Sequence, residues 1–441
     1  MALGNLAFLP DAVAKSIQDG ILERRIMKAL RPALVWRALA QQERHMGRQG
    51  DRVIKTRAGL ITPSSKATAR ITAGGDPQPV TRSQEQFSYQ IQSYGNTVDI
   101  HLPSSFLAIA NKFLDDMDAL AFHGSQTISR FCRDALVDAY EGGDTYTTDD
   151  PGSVTSVAVA ECKGFDKVIV DGEEVSVSAT NTVSVTIGGT ARSVTAVTAT
   201  DGSSPPSGPG TLTISSALDY AQYDRVVRTD APTVVRQNSR TTDRTIVSGD
   251  TATIATFRNA AAILRKHSVP FLPGTQLYGV MVNPDIMNAL FADTEFHDAI
   301  QAQGLMNEFA VGAIGDYAGM RFFQNPEMPS ILSGGTLQTY VHRSIVFGAE
   351  SLVEAYTPES DFEAEVPMEG IARGNHYKMP IDPAGALSMV VRAPMDRAGR
   401  TLSASWLMNG DWTVPTDLKS GTGAARFKRA VVVKTAGPAS L

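Results

Sequence analysis

Cysteine is nearly absent: the 441 residues hold two, Cys132 and Cys162. Two thiols supply neither a disulfide framework nor metal-ligand spacing, and they suit a reducing compartment. Cys132 falls in a helical pattern, as a small buried hydrophobe. No run of eighteen apolar residues occurs, so no helical membrane span is expected. The opening "MALGNLAFLPDAVAKS" has no basic n-region and is cut by Pro10 and Asp11, so no signal peptide is expected either. The motifs of hydrolases and redox enzymes are missing as well: no G-x-S-x-G, no H-E-x-x-H, no C-x-x-C. The seven histidines, His45, His101, His123, His267, His297, His342 and His376, are scattered without ligand spacing. No catalytic, cofactor-binding or metal-binding residues are therefore expected, and the chain reads as something other than an enzyme.

What is present is bulk and uneven charge. The length allows two to four domains, and 42% hydrophobic residues suffice for a sizeable core. The net charge is −6, yet residues 1–100 carry +6, and residues 20–70 hold twelve basic against three acidic residues. This basic arm needs an acidic partner. A nucleic-acid surface interleaves aromatics with its cations, and Trp36 is the only aromatic between 20 and 70. The acidic body of another copy of this protein fits better, and the acidic segment Asp361, Glu363, Glu365 and Glu369 reads either as a solvated loop or as a landing site for the arm.

The chain divides into six parts. Residues 1–50 are an arm, helical over 11–46 and broken at Pro32, with too little apolar face to pack alone. Residues 51–102 alternate as a long β-hairpin, with a flexible tip at Gly74-Gly75-Asp76-Pro77. Their apolar residues (Val53, Ile71, Phe87, Tyr89, Ile91) are too sparse for a core, so the hairpin is expected to rest on a neighbour. Residues 103–150 centre on one long helix, 104–141, between Pro103 and Gly142-Gly143. Its apolar stripe runs through Phe106, Ile109, Phe113, Met117, Leu120, Gly124, Ile128, Phe131, Ala135 and Ala139. Asp115, Asp116 and Asp118 are too close in sequence to share a face, so they read as a solvated flank. Residues 151–230 are rich in Thr, Ser, Val and Gly with period-two alternation, an inserted all-β module of barrel or sandwich type. Residues 231–385 are mixed α and β, and 386–441 return through strands.

One stretch invites a nucleotide reading. "GAIGDYAGMRFFQNPEMP" (312–329) carries Gly312, Gly315 and Gly319, but their spacing is not G-x-G-x-x-G, and Met320, Arg321, Phe322 and Phe323 after them read as a strand. The local reading is turn, strand, turn rather than a phosphate cradle, and the glycines need another explanation.

The order of parts, with "LYGVMVNPDIMNALFAD", "GAIGDYAGMRFFQNPEMP", "RSIVFGAESL" and "MDRAGRTLSASWLMNGDW" in sequence, resembles the major capsid (coat) proteins of tailed bacteriophages, most closely the podophage-type group with an insertion domain. The resemblance covers nearly the whole chain outside 151–229. It implies the α+β Hong Kong-type capsid fold: an N-arm, an extended hairpin loop, a spine helix, peripheral and axial domains, and here an inserted small all-β domain. It implies self-assembly into hexamers and pentamers of an icosahedral shell around double-stranded DNA, which is touched weakly and without sequence preference. Its partners would be other copies, a separate scaffolding protein, a portal protein and a decoration or cement protein, with no membrane. Its place would be the virion, assembled in the cytoplasm of the bacterial host. Arg24, Arg25, Arg44 and Arg48 would meet Glu363 or Glu365 of a neighbour, and Gly312, Gly315 and Gly319 would turn the chain where copies crowd around a capsomer. The inserted module suits three roles alike: stabilising the monomer, contacting neighbours, or decorating the exterior. Lys55 and Lys66 lie in the hairpin, but no partner Asn or catalysing Glu is marked, so covalent cross-linking is not expected. The rival readings are a phage tail or sheath component, which has no need of the long helix, and a secreted β-rich adhesin.

Overall fold

The computed structural model describes residues 36–45, 50, 52–58, 64–66, 69–71, 75–77, 79–80, 84–101, 112–170, 173–296, 298, 316–334, 339–358, 376–380, 386–392, 400–418 and 423–437. They form an α+β protein of two compact units: 1–53, 88–135 and 352–413 make the first, and 54–87, 136–351 and 414–441 the second.

The first unit is organised by one long strand, β22 (Thr401–Thr413). Its residues alternate between buried and half-buried, with Leu402, Ala404, Trp406 and Met408 turned inward, the period a strand with one covered face must show. β4 (Gln92–His101) pairs antiparallel along it from Thr401 to Gly410. β21 (Leu387–Arg392) and β19 (Val353–Tyr356) take successive stretches of its other edge, and β20 (His376–Pro380) extends the sheet beyond β21. β1 (Gln41–Arg44) adds to β19 in parallel. The sequence predicts helix through residue 46, but the chain is a short 3-10 turn at Arg37–Leu39 and then this strand. A helix here would satisfy its own backbone but bury little, having a small apolar face, whereas pairing on the open edge of β19 satisfies the backbone and also packs the segment onto a sheet.

α1 (Lys112–Glu141) is about 45 Å long at the usual rise. Residues 102–111, the expected first turns, lie outside the described residues. Its buried line runs through Met117, Leu120, Ile128, Cys132, Leu136 and Tyr140. The last turns thus depart from the expected Phe131, Ala135 and Ala139, which are only half-buried. Both sets keep helical spacing, and packing selects the first. Phe131 instead stacks at the side with Tyr94 and Trp412, ring centroids 5.1 and 5.4 Å away. Gly124 permits a close approach: a Cβ there would stand 3.0 Å from Trp406 Cγ.

Among the described residues of the second unit are two large sheets and a separate β-hairpin. β5 (Asp144–Tyr146), β12 (Arg225–Arg228), β9 (Val183–Ile187), β10 (Thr190–Ala199), β11 (Gly210–Leu218) and β6 (Val154–Val159) follow one another around an antiparallel sheet. A bridge between Thr147 and Val159 joins its two ends, so the sheet closes into a small barrel and leaves no open edge. Val157, Val185, Ile187, Leu212 and Val226 fill the interior. The barrel starts at Asp144, before the expected 151, because β12 needs β5 as its outer partner. β7 (Lys167–Val170) and β8 (Glu173–Ser176) form a separate hairpin.

The other sheet runs β13 (Val234–Arg236), β23 (Ala430–Gly437), β18 (Tyr340–Phe347), β14 (Tyr278–Val282), β16 (Met320–Gln324) and β15 (Asp316–Tyr317), with β17 (Ser330–Leu332) also on β18. β14 is buried at every position, as its unbroken apolar sequence requires of a central strand. α2 (Ile254–Lys266) and α3 (Pro284–Phe291) contribute Phe257, Leu264 and Ile286 to the core formed with Val280, Val346 and Val433. The Asn283 side chain accepts from Asp285 N at 2.7 Å and Pro284 opens the first turn, which fixes the start of α3. β23 was expected with the closing strands of 386–441; it lies instead in this sheet, paired with β13 and β18.

β2 (Arg52–Ala58) and β3 (Gln84–Gln90) form a two-stranded ribbon. The predicted hairpin reached residue 102, but it ends at Gln90, and β4 joins the sheet of β22. Phe87 and Tyr89, expected to wait for a neighbour, are buried within the chain.

Candidate functional site

The charged interior of the second unit is the first place to look for chemistry. Near the base of the barrel lies a cavity of about 210 Å³ lined by Glu141, Asp144, Lys163, Arg236, Asp243 and Arg343, among others. Its carboxylates face cations at contact distance. Arg236 donates from Nη1 to Asp144 and from Nε to Asp243, at 2.8 and 2.7 Å. Arg225 forks onto Asp144 at 2.9 and 2.8 Å. Lys434 Nζ reaches Asp243 at 2.5 Å and also meets Glu141, which pairs with Arg343 at 3.1 Å. Burial pushes the carboxyls of Asp144 and Asp243 up, but the neighbouring cations outweigh it and hold both below the usual range. A general base working near neutrality needs the opposite shift. The arrangement joins the end of α1, the start of the barrel and the second sheet; it does not present a proton acceptor.

The root of the ribbon is a second charged cluster. Arg57, on β2, donates to Glu350 Oε2 at 2.8 Å and to Asp417 Oδ1 at 3.3 Å. Arg429 donates to the same two atoms at 2.5 and 3.4 Å. Burial raises the Glu350 carboxyl, and the two guanidinium groups more than reverse this. On β3, Glu85 accepts from Leu418 N at 3.0 Å. Ile54 on β2, and Ile71 and Val80 beyond it, are 50, 57 and 52% exposed.

In the first unit, Arg37 donates from Nε to both carboxylate oxygens of Glu354 at 2.8 and 3.0 Å, and the pair is almost wholly buried. Sequence reading places Arg37 among the arm's outward cations. Nothing in the sequence signals its partner, which is 317 positions away. The Arg57 cluster has the same character, with separations of 293 and 360.

Of the residues singled out from sequence, Arg24, Arg25, Arg48, Glu363, Glu365, Gly312 and Gly315 lie outside the described residues. Arg44 is exposed at the end of β1, in register with Tyr356. Gly319 sits at φ +80° after Ala318 at φ +51°, the two central residues of the tight turn joining β15 to β16. His123 accepts from Trp406 Nε1 at 3.3 Å.

No protein-family model and no curated protein matches this chain. Solved structures do. The capsid of Ralstonia phage GP4 superposes with a TM-score of 0.52 at 11% identity, over 91% of this chain and 88% of that one. The cyanophage Pam1 capsid asymmetric unit gives 0.47 at 11% identity, over 90% and 88%. The likeness to the GP4 capsid establishes a shared fold over 91% of the chain, which has the α+β phage-capsid architecture that its sequence resembles.

Proposed function

We propose that this chain is the major capsid protein of a tailed bacteriophage, a structural protein that builds a closed shell from copies of itself. The observation that carries the reading is the extent of the shared fold with the GP4 capsid, nine-tenths of the chain. The charge asymmetry adds physical support, because a basic segment and an acidic body left unmatched in one chain can meet in an assembly where every copy has several neighbours. The finer picture is hexamers and pentamers in an icosahedral shell around double-stranded DNA, with scaffolding, portal and decoration proteins as partners. Arg24, Arg25, Arg44 and Arg48 then face acidic surface of a neighbour, Glu363 or Glu365 among it. The fold's known use in shells and the paired state of the interior carboxylates both favour a role without catalysis.

Negative-stain electron microscopy of the purified protein, alone and co-expressed with the neighbouring genes, tests this. Uniform closed shells are expected. Tubes or rings without shells point to a tail component, and a monodisperse monomer under every condition refutes self-assembly. The arm is tested by deleting residues 1–35, a cut that spares Arg37 and β1; normal shells from that variant would remove the arm from the mechanism. Reversing the charges of Arg24, Arg25, Arg44 and Arg48 with no effect on assembly would refute the charge pairing.

A further inference from the structure

Arg57 reaches far from its own strand. Its Nη2 donates to Glu350 Oε2 at 2.8 Å and to the Glu350 carbonyl oxygen at 3.2 Å, while Nη1 donates to Asp417 Oδ1 at 3.3 Å. Arg429, the residue before β23, addresses the same carboxylate atoms and adds the Ala349 carbonyl oxygen at 3.3 Å. Two cations and two carboxylates thus form a square, of which one corner belongs to the ribbon and three to the body of the same unit. The side chains of Arg57, Arg429 and Asp417 are 13, 15 and 3% exposed and that of Glu350 is 48%, so the square is dry on the Asp417 side and open to water at Glu350. The ribbon's other strand is fixed close by, through Glu85 to Leu418 N and through the Gln86 carbonyl to Thr416 Oγ1 at 3.4 Å.

The square is redundant in one direction. When Arg57 withdraws, Glu350 and Asp417 both keep their contact with Arg429. Release then costs one guanidinium's contacts and does not strand a buried carboxylate, the situation that makes broken buried pairs so unfavourable. Withdrawal of Arg429 has a different effect, because that residue also ties the start of β23 to residues 349 and 350 and so holds the body together.

We propose that Arg57 is a releasable latch: it sets the direction of the β2–β3 ribbon by fastening its root to Glu350 and Asp417, and it lets go without loosening the body it fastens to. The latch stands on the geometry of the single chain. Its use, holding the ribbon in one orientation until a neighbouring copy receives it, rests on the capsid reading above.

Hydrogen exchange followed by mass spectrometry on the full soluble chain separates the two ideas. In Arg57→Ala, peptides covering 52–58 and 84–90 exchange about tenfold faster or more, while those of 254–291 and 340–347 keep their protection. Arg57→Lys, with a point charge in place of the fork, gives an intermediate change. Arg429→Ala, by contrast, loosens the body peptides as well. Unchanged ribbon exchange in Arg57→Ala, or a loss spread evenly over the unit, overturns the latch. Where the wild type forms shells, Arg57→Ala yields fewer closed ones; an undiminished yield refutes the orienting role. A wild type that never forms shells refutes the capsid reading and leaves the exchange result to decide the latch by itself.

Discussion

The buried pair between Arg37 and Glu354 offers a quantitative test of how the first unit is held. Glu354 is 0% and Arg37 3% exposed, and the Nε hydrogen is shared between both carboxylate oxygens at 2.8 and 3.0 Å. Replacing Arg37 by Met keeps the stem and deprives a dry carboxylate of its guanidinium. Breaking a buried pair from one side costs about 3–5 kcal/mol. For a domain of about 150–250 residues that is a fall in Tm of roughly 6–20 °C. The double variant Arg37→Met with Glu354→Leu removes both charges, and pairs replaced by apolar groups of similar volume come out neutral or more stable by about 1–4 kcal/mol. The coupling between the two positions is then large, with the double variant far better than either single one. Urea denaturation of the four proteins, read by far-UV circular dichroism, measures it through the midpoints at a common slope. Two results refute the reasoning: an Arg37→Met variant within about 1 kcal/mol of the wild type, or a double variant as unstable as the sum of the singles.

Three further outcomes follow from the same structure. Gly319→Val loses roughly 1–2 kcal/mol because φ is +80° there, whereas Gly319→Asn recovers most of it; equal urea midpoints for the Val and Asn variants would contradict a backbone origin. Asp144, Asp243 and Glu350 have folded pKa values held below their unfolded ones, so their contribution is complete above the unfolded values of about 4 and is lost as pH falls through the folded values. The urea midpoint should therefore hold its contribution from these groups between about pH 7 and 5 and fall below about pH 4, and Asp243→Asn should flatten that acid limb; an acid limb as steep as the wild type's in the variant would sink the assignment. Finally, Asp144 and Val227 are direct partners across β5 and β12, about 5 Å apart, so a short linker can replace residues 145–226. The shortened chain should keep cooperative unfolding through the core of Phe257, Leu264, Val280, Val346 and Val433, and a non-cooperative melt would show that the barrel is needed to fold the rest.

Much of this was legible in the sequence because it is local. The spacing from Met117 to Ile128 makes a helix with one apolar side, the run Tyr278–Val282 followed by Asn283, Pro284 and Asp285 makes a buried strand and a capped helix, and the alternation through 183–199 makes strands. Each depends on neighbours within a few positions, and side-chain period and capping chemistry are properties of such short windows. The order of these elements was enough to bring out the likeness to phage coats. Tertiary structure alone decided the rest, for a physical reason: the energies involved belong to pairs distant along the chain. Residues 41–44 became a strand because β19 offered an edge, and the helix stripe turned toward Cys132, Leu136 and Tyr140 because packing chose between two equally periodic faces. Arg37 and Arg57, read from sequence as two more cations of a basic stretch, found carboxylates 317 and 293 positions away. A charge's sign is written in the sequence; its partner, and whether water reaches it, is settled only when the chain closes on itself.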